Sequence, residues 1–383
     1  MKRLFLLIAV LAIWISPALA ADKDVYIRCG CVSNGDGTSN ACGVSAAYNS
    51  ITNFIVGEQG TAFDPGDVMT VHVADEADAN CTMSSQDHLD GFDTDVEIVF
   101  QCASGHCNTS GTTFDDTKAV IEASNTNIFP VYVNQGIPFT FQDLQFDVGT
   151  IGYTIYVVST ATDVTIQRNI FYGGGYTGGS QHGGIRINAN TGTAIVRNNV
   201  FYDFTASSVE GSIRWAGSFT GYVFHNTFHN VAFAIEVDST SPTIHFANNI
   251  SQSEEQSMVD APSGLTWGGD SGYNITDGDG TGDDDEPGSN NQVSTSVTFD
   301  NEGSDDFHLT GESATVCIAN NLYAHATAPV TVDIESDARD SNTANDEYAG
   351  ADTDTADSCA GGGSTIIPII MNYYRRWFGV IYF

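Results

Sequence analysis

Four stretches decide the fold: VTIQRNIFYGG at 164–174, AIVRNNVFYDF at 194–204, GYVFHNTFHNV at 221–231 and TIHFANNISQS at 243–253. A shorter copy, SGYNITDG, occupies 271–278. Each joins a short alternating segment to an Asn followed directly by a residue that continues the strand. The aligned residues are Asn169, Asn199, Asn226, Asn249 and Asn274, spaced 30, 27, 23 and 25 apart. An earlier copy, FTFQDLQF from Phe139, puts Leu144 in the same place. Self-similarity with a period in the twenties is the mark of a solenoid. The segments are rich in Val, Ile, Thr, Phe and Tyr and alternate with period two, so the repeated element is a strand and not a helix.

A second family of strands lies between the Asn segments. It reads YTIYVVST from Tyr153, GIRINANT from Gly184, SIRWAGS from Ser212 and FAIEVDST from Phe233. Two or three strands per coil, each paired in parallel with the coil above, make a right-handed parallel β-helix. The uneven spacing is absorbed by loops, of which YGGGYTGGSQHGG at 172–184 is the most glycine-rich. The aligned Asn is expected at a tight corner, because Asn tolerates left-handed backbone angles and bonds its own backbone. Stacked coils would bring these amides into a ladder. Ligand contact and glycosylation (Asn249-Ile-Ser and Asn274-Ile-Thr are sequons) are the alternatives.

The ends of the chain differ from its middle. Lys2 and Arg3, the apolar run from Leu4 to Ile15, and Ala18-Leu19-Ala20 after Pro17 read as a secretory signal cleaved after Ala20. Residues 21–360 are assigned to the β-helix domain. Gly361–Ser364 is a flexible linker before TIIPIIMNYYRRWFGVIYF, an apolar tail at 365–383. Pro368 and the pair Arg375 and Arg376 leave it too short to span a bilayer. It is read as an interfacial anchor, a capping strand, a partner-binding tail or a sorting signal, and so as a point of envelope association.

The chain holds 48 acids against 12 lysines and arginines, for a net charge of −36. That balance argues against nucleic acid as a partner. Eight cysteines in an exported chain point to disulfides and a disulfide-bonded N-terminal cap. Cys102 with Cys107 and Cys317 with Cys359 are the expected pairs. A zinc site at Cys29, Cys31 and Cys42 is the alternative.

The chain resembles the pectate-lyase-like superfamily of secreted bacterial right-handed β-helix proteins. The resemblance is carried by DPGDVMTVHV from Asp64, VEIVFQC from Val96, AVIEAS from Ala119, DDFHLTGESATVCIANN from Asp305 and DIESDARDSNTANDEYAGAD from Asp333. It implies an exported β-helix and, in the lyases of that group, calcium-binding acids with a Lys or Arg base. Lys23 and Lys118 both precede the regular coils, which disfavours a lysine base. The adjacent-aspartate motif of the hydrolases has no match in the central coils. Asp283, Asp284 and Asp285 are adjacent but belong to a Gly-rich loop.

Aligning the second strands puts Tyr156, Arg186, Arg214 and Glu236 in one column. Ile185, Ile187, Ile213 and Trp215 flank the arginines and should face inward, so the arginines face out. Stacked arginines suit a carboxylate or sulfate, because guanidinium forms forked hydrogen bonds. With Asp238 and His182 nearby, the column is the candidate site for an acidic polysaccharide or cell-surface glycan. A solvated face where arginine stems cover apolar surface is the structural alternative. His225, His229 and His245 are read as turn or surface residues. The loop TDGDGTGDDDEPGSNN from Thr276 offers Asp277, Asp279 and Asp283 as oxygen ligands for calcium, the expected cofactor. A weaker case exists at Asp352 and Asp354. Three functions follow: a secreted or surface β-helix that binds glycans without cleaving them, a lyase or hydrolase of acidic polysaccharide, and a structural envelope protein.

Overall fold

The computed structural model describes residues 22–353, except 75–80, 84–86, 109–111, 124–130, 149–151, 159–162, 175–181, 206–210, 255–256, 279–286, 310–315 and 340–347. The chain winds as a parallel β-solenoid with three long sheets. The first has nine strands, from Lys23–Arg28 to Thr266–Trp267; the second has eight, from Cys81–Met83 to Ile275–Thr276; the third has seven, from Asp87–Leu89 to Ser257–Asp260. In the central coils the chain visits them in turn: Asp163–Gln167 in the first, Ile170–Tyr172 in the second, His182–Asn188 in the third, then Thr193–Arg197 in the first again.

Alternation drives the packing. In Val96–Cys102 every second residue is buried, and Val96, Ile98 and Phe100 face the core. Inside the second sheet Phe146, Phe171, Phe201 and Phe228 share one register position and stack with centroids 4.8, 4.6 and 5.0 Å apart. That spacing lies in the favourable range for offset rings.

The Asn ladder forms, and the structure corrects its cause. The left-handed residue is the one before each Asn: Asp143 precedes Leu144, and Arg168, Asn198, His225, Asn248, Tyr273 and Asn290 precede Asn169, Asn199, Asn226, Asn249, Asn274 and Asn291. The aligned asparagines are fully buried through Asn274. Each Oδ1 accepts from the backbone N–H one coil earlier, beginning with Leu144 at 3.1 Å and continuing through Asn169, Asn199, Asn226, Asn249 and Asn274 at 2.9–3.0 Å. Each Nδ2 donates onward to the next Oδ1 and back to a strand carbonyl, as Asn199 does to Ile166 at 2.9 Å. A buried corner amide needs partners, and the ladder supplies them. Burial also takes Asn249 and Asn274 out of reach as glycan acceptors.

The N-terminal end of the coil stack and the outer faces of two of its sheets are covered, by different devices. At the N-terminal end the helix Ile51–Glu58, capped by Ser50, sets Phe54 against Tyr48, Phe92 and Phe100. Its buried Glu58 is paired with Lys23 and accepts from the Tyr48 hydroxyl at 3.0 Å. Disulfides Cys29–Cys81 and Cys31–Cys42 tie this cap down, and Cys102–Cys107 closes the short loop expected from sequence. The zinc alternative at Cys29, Cys31 and Cys42 is therefore excluded: all three thiols are consumed in S–S bonds. Cys317 is disulfide-bonded as well; its expected partner Cys359 lies outside the described residues, as do the signal segment and the apolar tail. No helix among the described residues is long and apolar enough to cross a membrane.

After the last coil the chain turns back as a strap. Val297, Phe299, Phe307, Leu309, Val316 and Tyr348 cover Ile170, Val200, Tyr202, Ile250 and Ile275 on the outside of the second sheet. Leu322, Ala328 and Val330 cover Phe224 and Ala247 on the outside of the first. The left-handed corner residues hold it. Asn198 Nδ2 donates to the Val332 carbonyl at 2.7 Å, and Asn248 exchanges bonds with Asn320 at 2.7 and 2.8 Å. Buried Arg339 donates to the carbonyls of Tyr348, Gly350 and Ala351 and to Asn198 Oδ1 at 2.8–3.2 Å.

Candidate functional site

The outer column of the third sheet has the register read from sequence. Tyr156 pairs with Arg186, Arg186 with Arg214, and Arg214 with Glu236. It also extends further in both directions: His88 and Tyr132 precede Tyr156, and Asp260 follows Glu236. Ile185, Ile187, Ile213 and Trp215 are fully buried, so the two arginines point outward as expected.

The column grades from aromatic to charged. His88 and Tyr132 rings lie 4.5 Å apart, and Tyr132 meets Tyr156 edge-on at 5.1 Å. Burial raises the Tyr132 phenol above its ordinary range, and it stays neutral. The Arg186 guanidinium lies 5.1 Å from the Tyr156 ring centre and 5.8 Å from that of Tyr153. The Tyr156 hydroxyl accepts from Asn188 at 3.0 Å, which holds the ring. Arg214 is engaged by acids: its Nε and Nη2 donate to Asp238 at 3.0 and 3.3 Å, and Glu236 lies 3.8 Å from Nε. Glu236 in turn accepts from the Gly211 N–H at 3.3 Å.

The two arginines therefore differ. Adjacent rungs lie about 4.8 Å apart, where like charges repel unless an acid intervenes. Asp238 and Glu236 supply that acid for Arg214. Among the described residues no carboxylate reaches Arg186, and its buried Nε has no hydrogen-bond partner there. His182 is placed apart from this column. It begins the strand His182–Asn188, is buried, and packs its ring 5.5 Å from Phe204.

Of the calcium candidates, Asp279, Asp283 and Asp354 lie outside the described residues. Asp277 accepts the Ser253 N–H with both oxygens at 2.9 Å. Its neighbour Glu254, missed in the sequence, has its carboxyl pushed up to about 7 by burial and by a hydrogen bond with Asp277. Asp352 is buried and holds the Leu309 N–H at 2.8 Å; burial pushes it up to about 7 as well. His225 takes the left-handed corner, a turn position as expected, while His229 and His245 are half-buried. His225 is fully buried, and burial with nearby Arg339 drives its protonation far below the ordinary range. His229 lies under the strap, 4.8 Å from Phe307. His245 stacks on Tyr222 at 4.5 Å and bonds Asp270.

No family model, curated protein or solved structure matches the chain. What the structure supports of the pectate-lyase-like resemblance is its fold, the parallel β-solenoid.

Proposed function

We propose that this chain is an exported β-solenoid that binds acidic glycan along the outer column of its third sheet and does not cleave it. The observation that carries the reading is Arg186. A guanidinium over a tyrosine ring, with a buried Nε lacking a partner among the described residues, stands one rung from an arginine already neutralised by acids. A uronate carboxylate would complete its forked hydrogen bonding, while Tyr132 and Tyr156 offer ring surface to the adjoining sugar. Binding rather than cleavage follows from the same groups. Arg214 is tied into ion pairs with Asp238 and Glu236, which suits a holding role rather than that of the proton-abstracting base of the lyases. Export fits the disulfides, which persist in oxidising compartments. Calcium is assigned in this reading to the loop that begins at Asp277, beside Glu254.

The test is calorimetric titration with tetragalacturonate and an alginate tetramer, with and without calcium, alongside assays for unsaturated and reducing ends. Binding that weakens tenfold or more in Arg186→Ala, at unchanged melting temperature, is expected. Equal affinity in that variant would sink the assignment of the site. Release of new chain ends would overturn the non-cleaving half and make the protein an enzyme.

A further inference from the structure

A different face carries a groove of about 660 Å³, on the outside of the first sheet toward its N-terminal end. Tyr26, His72 and Gln101 line its sheet side, and Asn40, Ser104, Asn108 and the strap residues Glu335 and Ser336 also line it. Its size falls within the ~300–1,000 Å³ typical of small-molecule sites.

The sheet side is organised. Tyr26 and His72 stack at 4.7 Å with planes 16° apart. His72 belongs to a hydrogen-bonded row that climbs the sheet: Arg197 donates to Gln167 at 2.6 and 2.9 Å, Gln167 to Gln142 at 2.7 Å, and Gln142 to Gln101 at 2.9 Å. Gln101 then faces His72 Nδ1 at 3.5 Å, and His72 Nε2 meets Asp24 at 2.9 Å. Arginine only donates and carboxylate only accepts, so the row has one direction: His72 Nδ1 accepts from the Gln101 amide and its Nε2–H donates to Asp24. The Oδ1 of Asn40 is buried and has no partner among the described residues.

The lining selects a ligand class. Among the described residues it contains no lysine or arginine, so an anionic polymer gains no ion pair there. Its acids are already matched: Asp143 holds Arg168 through two bonds of 2.7 and 2.9 Å, and Glu335 lies 3.2 Å from His308. Ile334, the aliphatic residue of the described lining, is buried. What remains is the edge of a stacked aromatic pair, the Asn40 Oδ1 left unpartnered among the described residues, and the hydroxyls of Tyr26, Ser104 and Ser336, beside the amides of Gln101 and Asn108 that Gln142, His72, Thr113 and Gln145 hold in place. We infer that this groove binds a neutral oligosaccharide, independently of the arginine column on the third sheet.

Cellotetraose, mannotetraose and galactotetraose are the probes, titrated calorimetrically into the exported chain. At least one is expected to bind with a dissociation constant of about 1 mM or tighter, and Tyr26→Ala should weaken it tenfold or more. Ser104 is exposed at the groove, so Ser104→Trp should fill it and abolish binding without lowering the melting temperature. Arg186→Ala should leave this affinity unchanged, which separates the two faces. Failure of all three probes to bind, or binding that survives Ser104→Trp, would overturn the inference.

Discussion

Removing one rung from the middle of the Asn ladder should cost far more than removing the last one. Asn226 Oδ1 accepts from both the N–H and the Nδ2 of Asn199 at 3.0 Å. Its Nδ2 donates to Val196, Phe224 and Asn249 at 3.0–3.1 Å. Asn226→Ala deletes all five bonds in a site with no solvent access. Asn199 Nδ2 retains the carbonyls of Ile166 and Arg197, and Asn249 Oδ1 still accepts from the backbone of residue 226. The Asn199 N–H has no substitute, and a buried orphan of that kind costs about 1–3 kcal/mol. With the further bonds lost and the small void, the expected destabilisation is about 3–5 kcal/mol. Asn291 is half-buried; among the described residues its Oδ1 accepts from Asn274, and its Nδ2 donates at 3.4 Å to Pro287. Water can replace it there, so Asn291→Ala should cost about 1 kcal/mol. Urea unfolding followed by circular dichroism measures both, provided the slope against denaturant stays constant. Equal losses in the two variants, or a loss below about 1 kcal/mol at Asn226, would refute the view that the ladder's worth lies in desolvated partners.

Two further predictions concern the strap. Asp352 ionises near 3.8 in an unfolded chain but is pushed up to about 7 when folded. Its folded-state proton is stabilising at low pH, and that contribution is lost as pH rises from about 4 to about 7. Asp352→Asn should therefore gain about 2–4 kcal/mol on the wild type between pH 4 and pH 8, read as a flatter melting-temperature profile; parallel profiles would contradict it. Arg339→Met leaves the carbonyls of Tyr348, Gly350 and Ala351 without their donor, at a cost of about 3–5 kcal/mol. Limited proteolysis should then cut within 316–353 while the circular dichroism of the coils is retained, and unchanged resistance would argue against Arg339 as the strap's anchor.

The coils are legible in the sequence because two periodicities coincide. Period-two alternation fixes which face is inside, and the Asn landmark fixes the register, since a one-residue slip would turn every side chain over. Tyr156, Arg186, Arg214 and Glu236 consequently fall where alignment puts them. The left-handed corner lies one residue earlier than the aligned Asn suggests. The position before each Asn holds Arg, Asn, His or Tyr, so it carries no constant letter, whereas the buried amide does. Cys29–Cys81 bridges distant segments and has no local spacing to announce it. The strap is hidden for a related reason: it follows no period, and its apolar residues are read only against the faces they cover. That cover also explains why His229, packed against Phe307, is half-buried.

The strap has a consequence for the order in which the molecule is made. Coil-to-coil pairing joins residues some 23–30 positions apart in the central coils and 46 at the first strand, so coils can stack one after another as the chain emerges. The strap's contacts reach back much further: Asn198 to Val332 spans 134 residues, and Thr112 to His308 spans 196. Contacts of such separation form late and slowly. Until residues 307–350 have been synthesised, Tyr202, Phe224 and Ile250 face outward without cover, and the nascent solenoid carries apolar flanks that a chaperone or a neighbouring chain can occupy. Closure of the strap is thus the step that turns an adhesive intermediate into a finished rod.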